Sequence, residues 1–549
     1  MELIDYTLGG ILEKWVREQP DHEFMIYPDR GLRFSYKEFD ERVDIFAKGL
    51  LAIGVRKGSK VGVWAKNVPD WMTLMFATAK IGAVLVTVNT NYKAAELEYI
   101  MKNADIHTMC MVNGYRDSDY VQILYDLVPE LKTLPRGHLH SERFPELRNV
   151  VYIGQEKQRG MYNTSELMTL GSLTDDAMLS EAKAQVGCHD EINMQYTSGT
   201  TGFPKAILHR HRALVCSCVT EQHHHGQTKD DVFLCIPPLY HTGAKMHWFG
   251  SLISGGKAVL LRGVKPEWIL RTVTEEKCTI VWLLVPWAQD ILDAIESGRV
   301  NLEHYLLDQW RLMHIGAQPV PPSLIKRWLK YFPHHKYDTN YGLSESIGPG
   351  CVHLGVDNIE KIGAIGKAGY LWQTRILDER GNDVAPGEIG ELAVKGPGVM
   401  KCYYKNPEAT AEILHGDWLW TGDMAREDKD GFIYLVDRKK DVIISGGENL
   451  YPVQIEDFLR RNEKIKDVAV IGLPDQRLGE IAAAIIELKD GADCTETEIQ
   501  DFCRELPRYK RPRRVIFAKV PRNPTGKIEK PVLRQIYCGG RLVEEQTKA

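Results

Sequence analysis

The segment Tyr196–Ala206, YTSGTTGFPKA, constrains this chain more than any other stretch. Gly199 and Gly202 let the backbone turn so that successive N–H groups converge on one point. Thr197, Ser198, Thr200 and Thr201 add hydroxyl groups, and Lys205 adds a positive charge after Phe203 and Pro204. The alternating apolar run Ile192, Met194, Tyr196 before it reads as a half-buried strand. Such a loop suits a polyphosphate, with amide donors close in, a cation beyond and no bulky side chain across the approach. The pattern G-x-x-x-x-G-K-[ST] does not fit, because Gly202 is followed by Phe203, Pro204 and only then Lys205.

A chain of 549 residues is too long for one hydrophobic core, so two or more domains are expected. A formal charge of −5 implies no polyanionic partner, and nucleic-acid binding is not expected. The 11 cysteines are scattered without a C-x-x-C pair, which argues against structural zinc and a disulfide framework and for a reducing, cytoplasmic setting. The opening MELIDYTLGG is acidic and lacks a long apolar core, unlike a secretory or mitochondrial leader. Trp71–Val88, the most apolar run, contains Lys80 and Gly82 and divides into a helix and a strand, so no transmembrane segment is expected. Assembly into a homo-oligomer is compatible with the sequence.

From Ser35 onward strands and helices alternate. Ser35 and Glu38 form a capping box, Phe39, Val43, Phe46, Leu50 and Ile53 repeat at helical spacing, and Gly54 closes the helix. Strand Val61–Ala65, helix Asp70–Ile81 and strand Ala83–Val88 follow, and strands recur at Val232–Ile236, Ala258–Leu261 and Thr279–Val285. That order implies parallel sheets covered by helices, hence an α/β fold. Around Arg375–Gly396 turn signals break the chain into hairpins, a β subdomain at about 370–437. A compact α+β pattern follows: helix Val453–Arg461, strands Asp467–Leu473 and Ala482–Leu488, helix Thr497–Leu506. The expected organisation is a large N-terminal domain, 1–437, and a small mobile C-terminal domain, 438–549. The triplet His223–His225 reads as a polar helix end, since no carboxylate or cysteine accompanies it at ligand spacing.

The glycine-rich segment resembles the signature [ST]-S-G-[ST]-T-G-x-P-K of the adenylate-forming superfamily, which includes acyl-CoA synthetases, luciferases and peptide-synthetase adenylation domains; Ala206 stands where glycine is frequent. Further stretches extend the resemblance over nearly the whole chain. Gly316, Ala317, Gln318 and Pro319 resemble the turn beside the adenine. Asn340-Tyr341-Gly342-Leu343-Ser344-Glu345 is similar to the motif N-x-Y-G-x-T-E, with serine for threonine. The resemblance implies that Tyr341 stacks on adenine, Ser344 faces the phosphates and Glu345 holds Mg2+, a hard cation suited to carboxylate and phosphate oxygens. It further implies that Asp423 of Thr421-Gly422-Asp423 and Arg438 contact the ribose, and that Lys527 is the catalytic lysine. Lys440 matches the domain hinge, and Gly447, within Ser445–Asn449, leaves room for the pantetheine arm of CoA. His241, in Pro237–Gly243, matches a residue at the mouth of the acyl pocket. The candidate catalytic set is therefore Lys527, Lys205, Thr201, Glu345 and His241.

By the same resemblance the substrates are a carboxylic acid, ATP and CoA. Gly342 leaves open a pocket that acetyl-specific members close with tryptophan, and Met246, Trp248, Trp282 and Trp287 supply apolar surface. Each buried methylene contributes about 0.8 kcal/mol, so pocket depth selects chain length. The texture of Val88–Tyr92 and Ser445–Pro452 most resembles the medium-chain fatty acyl-CoA ligases. An aryl-CoA ligase, an enzyme loading a carrier protein and a non-catalytic nucleotide or acyl-CoA sensor are the alternatives. The basic run Arg508–Arg514 is equally consistent with CoA phosphate contacts and with a solvated face.

Overall fold

The computed structural model describes residues 3–197, 204–316, 320–356, 358, 360–361, 363–445, 448–522 and 527–538. Among them, two large sheets organise the first four hundred positions. One runs edge to edge through Lys336–Asp338, Leu312–Gly316, Ile280–Leu284, Val232–Cys235, Lys257–Leu260, Glu23–Tyr27 and Leu32–Ser35. All its neighbours are parallel except the last pair. The other runs through Cys402–Tyr403, Lys205–Arg210, Glu191–Thr197, Val84–Thr87, Lys60–Trp64, Ile106–Met111, Asn149–Tyr152 and Tyr162–Asn163. It is parallel from Glu191–Thr197 outward and antiparallel at its Lys205–Arg210 and Cys402–Tyr403 end.

Central strands such as Val84–Thr87 and Ile280–Leu284 are buried at every position, as parallel strands covered on both faces must be. Helix Tyr36–Ala52 opens on the expected capping box of Ser35 and Glu38 and buries Phe39, Val43, Phe46 and Leu50. Helix Pro69–Lys80 is buried almost all round, and its terminal Lys80 is compensated by Asp40 at 2.7 Å. The expected β subdomain is an antiparallel sheet of Gln373–Leu377, Gly390–Lys395, Trp418–Glu427 and Ile433–Arg438.

After the turn Lys439–Asp441 the chain builds a separate α+β unit around the long antiparallel pair Ile465–Asp475 and Gly479–Leu488. Alternation puts Val468 and Val470 in one core with Ile455 and Ile499, and Ala469 and Ile471 in another with Leu533. The helix expected to reach Leu506 stops at Phe502, and Cys503–Glu505 tighten into a 3-10 turn. Pro507 follows Leu506, which is extended, as the residue before a proline prefers.

Candidate functional site

The glycine-rich segment is flanked by an antiparallel pair of strands. Thr197 and Lys205 are register partners in the antiparallel pair Glu191–Thr197 and Lys205–Arg210, so Pro204 and the residues before it bridge the two strands. Ser198, Gly199, Thr200, Thr201, Gly202 and Phe203 lie outside the described residues. The second strand pairs in turn with Cys402–Tyr403, with Ile207 opposite Tyr403. This register brings the Tyr403 ring under Lys205, whose Nζ stands 4.9 Å from its centroid.

The Tyr403 hydroxyl donates to Glu345 Oε1 at 2.7 Å. Burial, and then the Glu345 charge, hold this phenol well above its usual range, so it remains a donor. Glu345 is fixed from its backbone as well, its carbonyl accepting from Met400 N–H at 2.7 Å. The carbonyl of the preceding Ser344 is 2.8 Å from Nε2 of the buried His209. Burial lowers the His209 imidazole to about 3.

Strand Asn340–Leu343 carries a bulge between Tyr341 and Gly342 and runs into the turn Ser344–Ser346. Ile347 then takes a left-handed φ of 61°, a conformation costly for a β-branched residue and often kept at functional sites. The buried Tyr341 hydroxyl donates to Asp423 Oδ2 at 2.6 Å, and Arg438 Nε lies 3.2 Å from Asp423 Oδ1. Asp423 and Arg438 are themselves register partners on neighbouring strands. The Thr421-Gly422-Asp423 stretch is held locally: Thr421 Oγ1 donates to the Leu392 carbonyl at 2.6 Å, and Gly422 N–H donates to Glu391 at 3.0 Å. Gly422 has φ +73°, which glycine adopts without strain.

Lys527, from the C-terminal unit, comes to this same place. Desolvation and then the Arg438 charge lower its ammonium to about 8, while Asp423 and Glu345 act in the opposite direction. The residue as a whole is exposed, so this desolvation belongs to the cleft walls around the amine rather than to a sealed interior. His241 shares the environment. Burial, followed by Lys527 and Lys245, depresses its imidazole to about 3. It is therefore neutral at physiological pH and serves as a hydrogen-bonding group rather than a cation. Its loop is held by Asn67, which donates to the Pro237 carbonyl at 2.9 Å and accepts from Leu239 N–H at 2.9 Å.

The structure thus brings together Lys205, Tyr341, Gly342, Ser344, Glu345, Asp423, Arg438, Lys527 and His241, drawn from the hairpin, the two neighbouring sheets and the C-terminal unit, whereas Asn340, on the same strand as Tyr341, turns its side-chain amide to Glu221. Gly316 ends its strand, and among the described residues nothing lies within 4 Å of the place a Cβ would take. Lys440 sits in the turn Lys439–Asp441, where burial lowers its amine. Ala317, Gln318, Pro319 and Gly447 lie outside the described residues, as do the side chains of Met246 and Trp248.

Two site residues escaped the sequence reading. Tyr403 is one; only its strand register reveals it. Lys245 is the other, 1 % exposed on helix Thr242–Ser254, with Nζ 3.0 Å from Gln195 Oε1 and 3.3 Å from Asn193 Oδ1. Burial brings its amine down to about 7. An alternating polar position on strand Glu191–Thr197 was its available signal.

Two readings change. The expectation that no carboxylate accompanies the His223–His225 triplet fails. His223 is exposed at the helix end, but His225 is buried between Glu221 and Asp338. A carboxylate four positions back lies on the same helix face, and Asp338 is brought in by the fold. In the basic run, Arg511 caps the Leu506 and Arg504 carbonyls and Lys510 donates to Gln454, so these two have structural tasks.

Comparison with known proteins establishes the family. The family model described as AMP-binding enzyme matches residues 12–404, and that of the AMP-binding enzyme C-terminal domain matches 454–527. The chain is 36 % identical over 542 residues to a putative acyl-CoA synthetase, YngI, of Bacillus subtilis, covering 97 % of each. It is 33 % identical over 545 residues to the mitochondrial medium-chain acyl-CoA ligase ACSF2 of Danio rerio, covering 96 % of this chain and 88 % of that one. The ATP-bound structure of MatB from Rhodopseudomonas palustris superposes with a TM-score of 0.82 at 25 % identity, over 96 % of this chain and 99 % of that one. With both its large module and its C-terminal domain matched, the chain belongs to the family of AMP-binding enzymes.

Proposed function

We propose that this chain is an acyl-CoA synthetase that joins a medium-length aliphatic acid to CoA at the expense of ATP. The observation that carries this reading is the meeting of Lys527 with Arg438, Asp423, Glu345 and His241 in one cleft, on the side where Lys205 and Tyr403 close the hairpin. The named relatives, acyl-CoA synthetases and ligases among them, support the reaction class.

In the first half-reaction a carboxylate oxygen bonds to the α-phosphorus of ATP, the α–β phosphoanhydride bond breaks, and pyrophosphate leaves. Two anions about 4 Å apart repel by about 1 kcal/mol in water and about 4 kcal/mol in a partly dry cleft. Lys205 and Lys527 supply the positive charge that turns this repulsion into attraction and stabilises the leaving group. No side-chain nucleophile is required, because the substrate carboxylate is one. Tyr341 and Arg438 both bind Asp423, fixing its carboxylate as the acceptor for the ribose hydroxyls. Neutral His241 orients the acid's head group. In the second half-reaction the thiol sulfur of CoA bonds to the acyl carbon, the carbon–oxygen bond to AMP breaks, and AMP leaves.

The donors present fit Mg2+. Tyr403 engages Oε1 of Glu345, leaving a second carboxylate oxygen, the hard ligand such an ion takes. Bound there, Mg2+ would neutralise phosphate charge. Gly447 and Lys440 are assigned to the CoA channel and hinge, and the two domains to 1–437 and 438–549. The medium-chain assignment draws on ACSF2 and on the side-chain-free positions Gly316 and Gly342. We also place the enzyme in a reducing, cytoplasmic setting, to which its free cysteines correspond.

A panel of C2 to C16 and aryl acids, read for pyrophosphate, AMP and acyl-CoA, tests the reading. Maximal AMP and thioester formation with C6–C10 acids is expected. Pyrophosphate without CoA consumption would indicate carrier loading, and no pyrophosphate with any acid would overturn the reading.

A further inference from the structure

Four side chains outside the nucleotide cleft converge in the interior. Helix His211–His225 ends with His225 turned inward. Its Nε2 lies 3.0 Å from His314 Nδ1, 3.2 Å from Asp338 Oδ2 and 3.4 Å from Glu221 Oε2. His314 Nδ1 is 3.6 Å from the same Asp338 oxygen. None of the four residues is more than 1 % exposed. Glu221 precedes His225 by one helical turn, and His314 and Asp338 are register partners on adjacent parallel strands, so rigid elements hold all four.

This is not how a purely hydrogen-bonded cluster is arranged. A ring nitrogen carries at most one proton, yet His225 Nε2 faces two oxygens and another ring nitrogen. Two carboxylates in the dry interior also require two compensating positive charges; burial opposes charging of His353, but Glu221 and Asp338 raise its imidazole to about 9 and it supplies one, leaving the other to an ion. A tetrahedral divalent ion answers both demands. Zinc–nitrogen bonds of about 2.0–2.1 Å put neighbouring donor atoms about 3.3 Å apart. The observed separations of 3.0 to 3.6 Å bracket that value. The donor atoms of Glu221, His225 and His314 all lie within 4.8 Å of one another.

The surroundings are those of a built site. Gly355 N–H donates to Asp338 Oδ1 at 2.9 Å, which turns Oδ2 toward the histidines. Asn340 Nδ2 donates to Glu221 Oε1 at 2.5 Å, directing Oε2 the same way. His353 spans the two carboxylates, with Nδ1 3.2 Å from Asp338 and Nε2 3.3 Å from Glu221. Such outer partners set ligand orientation and charge.

We propose that Glu221, His225 and His314, with Asp338 on the fourth side, bind a structural zinc ion that fixes the end of helix His211–His225 to the parallel sheet. Through the Asn340–Glu221 bond the ion also braces the strand carrying Tyr341.

The full-length protein, expressed with added zinc and purified without chelator or ATP, is analysed by plasma mass spectrometry after gel filtration. About one zinc per chain is expected, and at least tenfold less in Glu221→Gln and His314→Gln. His353→Gln keeps all four donors and should weaken zinc affinity by about 10- to 100-fold, a change that a role confined to packing would not produce. Should the ligand variants fail to fold, metal-free parent protein given Co2+ decides: visible d–d bands of a tetrahedral site support the assignment. A parent protein without zinc as purified, and without those bands on adding Co2+, overturns it.

Discussion

The buried Tyr341 hydroxyl donates to Asp423 Oδ2 at 2.6 Å, joining the strand that leads into the Glu345 turn to the sheet that leads into the C-terminal unit. A hydrogen bond to a charged acceptor contributes about 1.5–3 kcal/mol. Tyr341→Phe keeps the ring for stacking but releases the carboxylate. The KM for ATP should rise about 10- to 100-fold, with the KM for the acid unchanged. A KM for ATP within about twofold of the parent would remove Asp423 from ribose recognition.

Lys527 yields a prediction in pH. Its ammonium is lowered to about 8, by desolvation first and by Arg438 second. The charged form is the active one in the proposed first half-reaction, so kcat/KM for adenylation should be level below pH 8 and fall about tenfold per unit above it. Lys527→Arg keeps its charge throughout and should lose that alkaline limb. Lys527→Ala should slow adenylation by about 10²–10³-fold and leave thioester formation from supplied acyl-adenylate within a fewfold of the parent. Equal loss in both half-reactions would refute the assigned role.

Tyr403 links Lys205 to Glu345, ring to cation and hydroxyl to carboxylate. Tyr403→Phe retains the ring beneath Lys205 and removes only the donor. The Mg2+ concentration for half-maximal activity should shift by about three- to tenfold, with a smaller change in the ATP response. Glu345→Gln should shift it further. An unaltered Mg2+ dependence in both variants would place the ion elsewhere.

Gly342 follows the bulge beside Tyr341 and carries no side chain, which in the proposed reading leaves the acyl pocket open. Gly342→Trp should move preference toward acids shorter by several carbons, each lost methylene contact being about 0.8 kcal/mol. Selectivity that does not move would locate the end of the acyl pocket on other residues.

Local rules made much of this legible. The Ser35–Glu38 box marks its helix because two side-chain bonds satisfy neighbouring backbone donors, and Ile192, Met194 and Tyr196 mark their strand because alternate positions share a face. The glycine-rich end of that strand was readable because phosphate recognition there needs consecutive residues. What stayed hidden depends on distant partners. Tyr403 reaches Glu345 through a strand pairing with Ile207, and His225 meets Asp338 across 113 positions. Neither pairing leaves a periodic trace. Glu221 did leave one, four positions before His225, but a helix-face pair of that kind gains meaning only when the face is buried.

Because the amine of Lys527 arrives from a separately folded unit, the cleft's full complement of cations exists only while that unit is docked. Linkage then runs both ways: an anion held in the cleft favours docking, and undocking loosens the anion by the same factor. In the proposed two-step reaction, departure of pyrophosphate and release of the docked unit then share one free-energy change, so the exit of the first step's by-product times the second step.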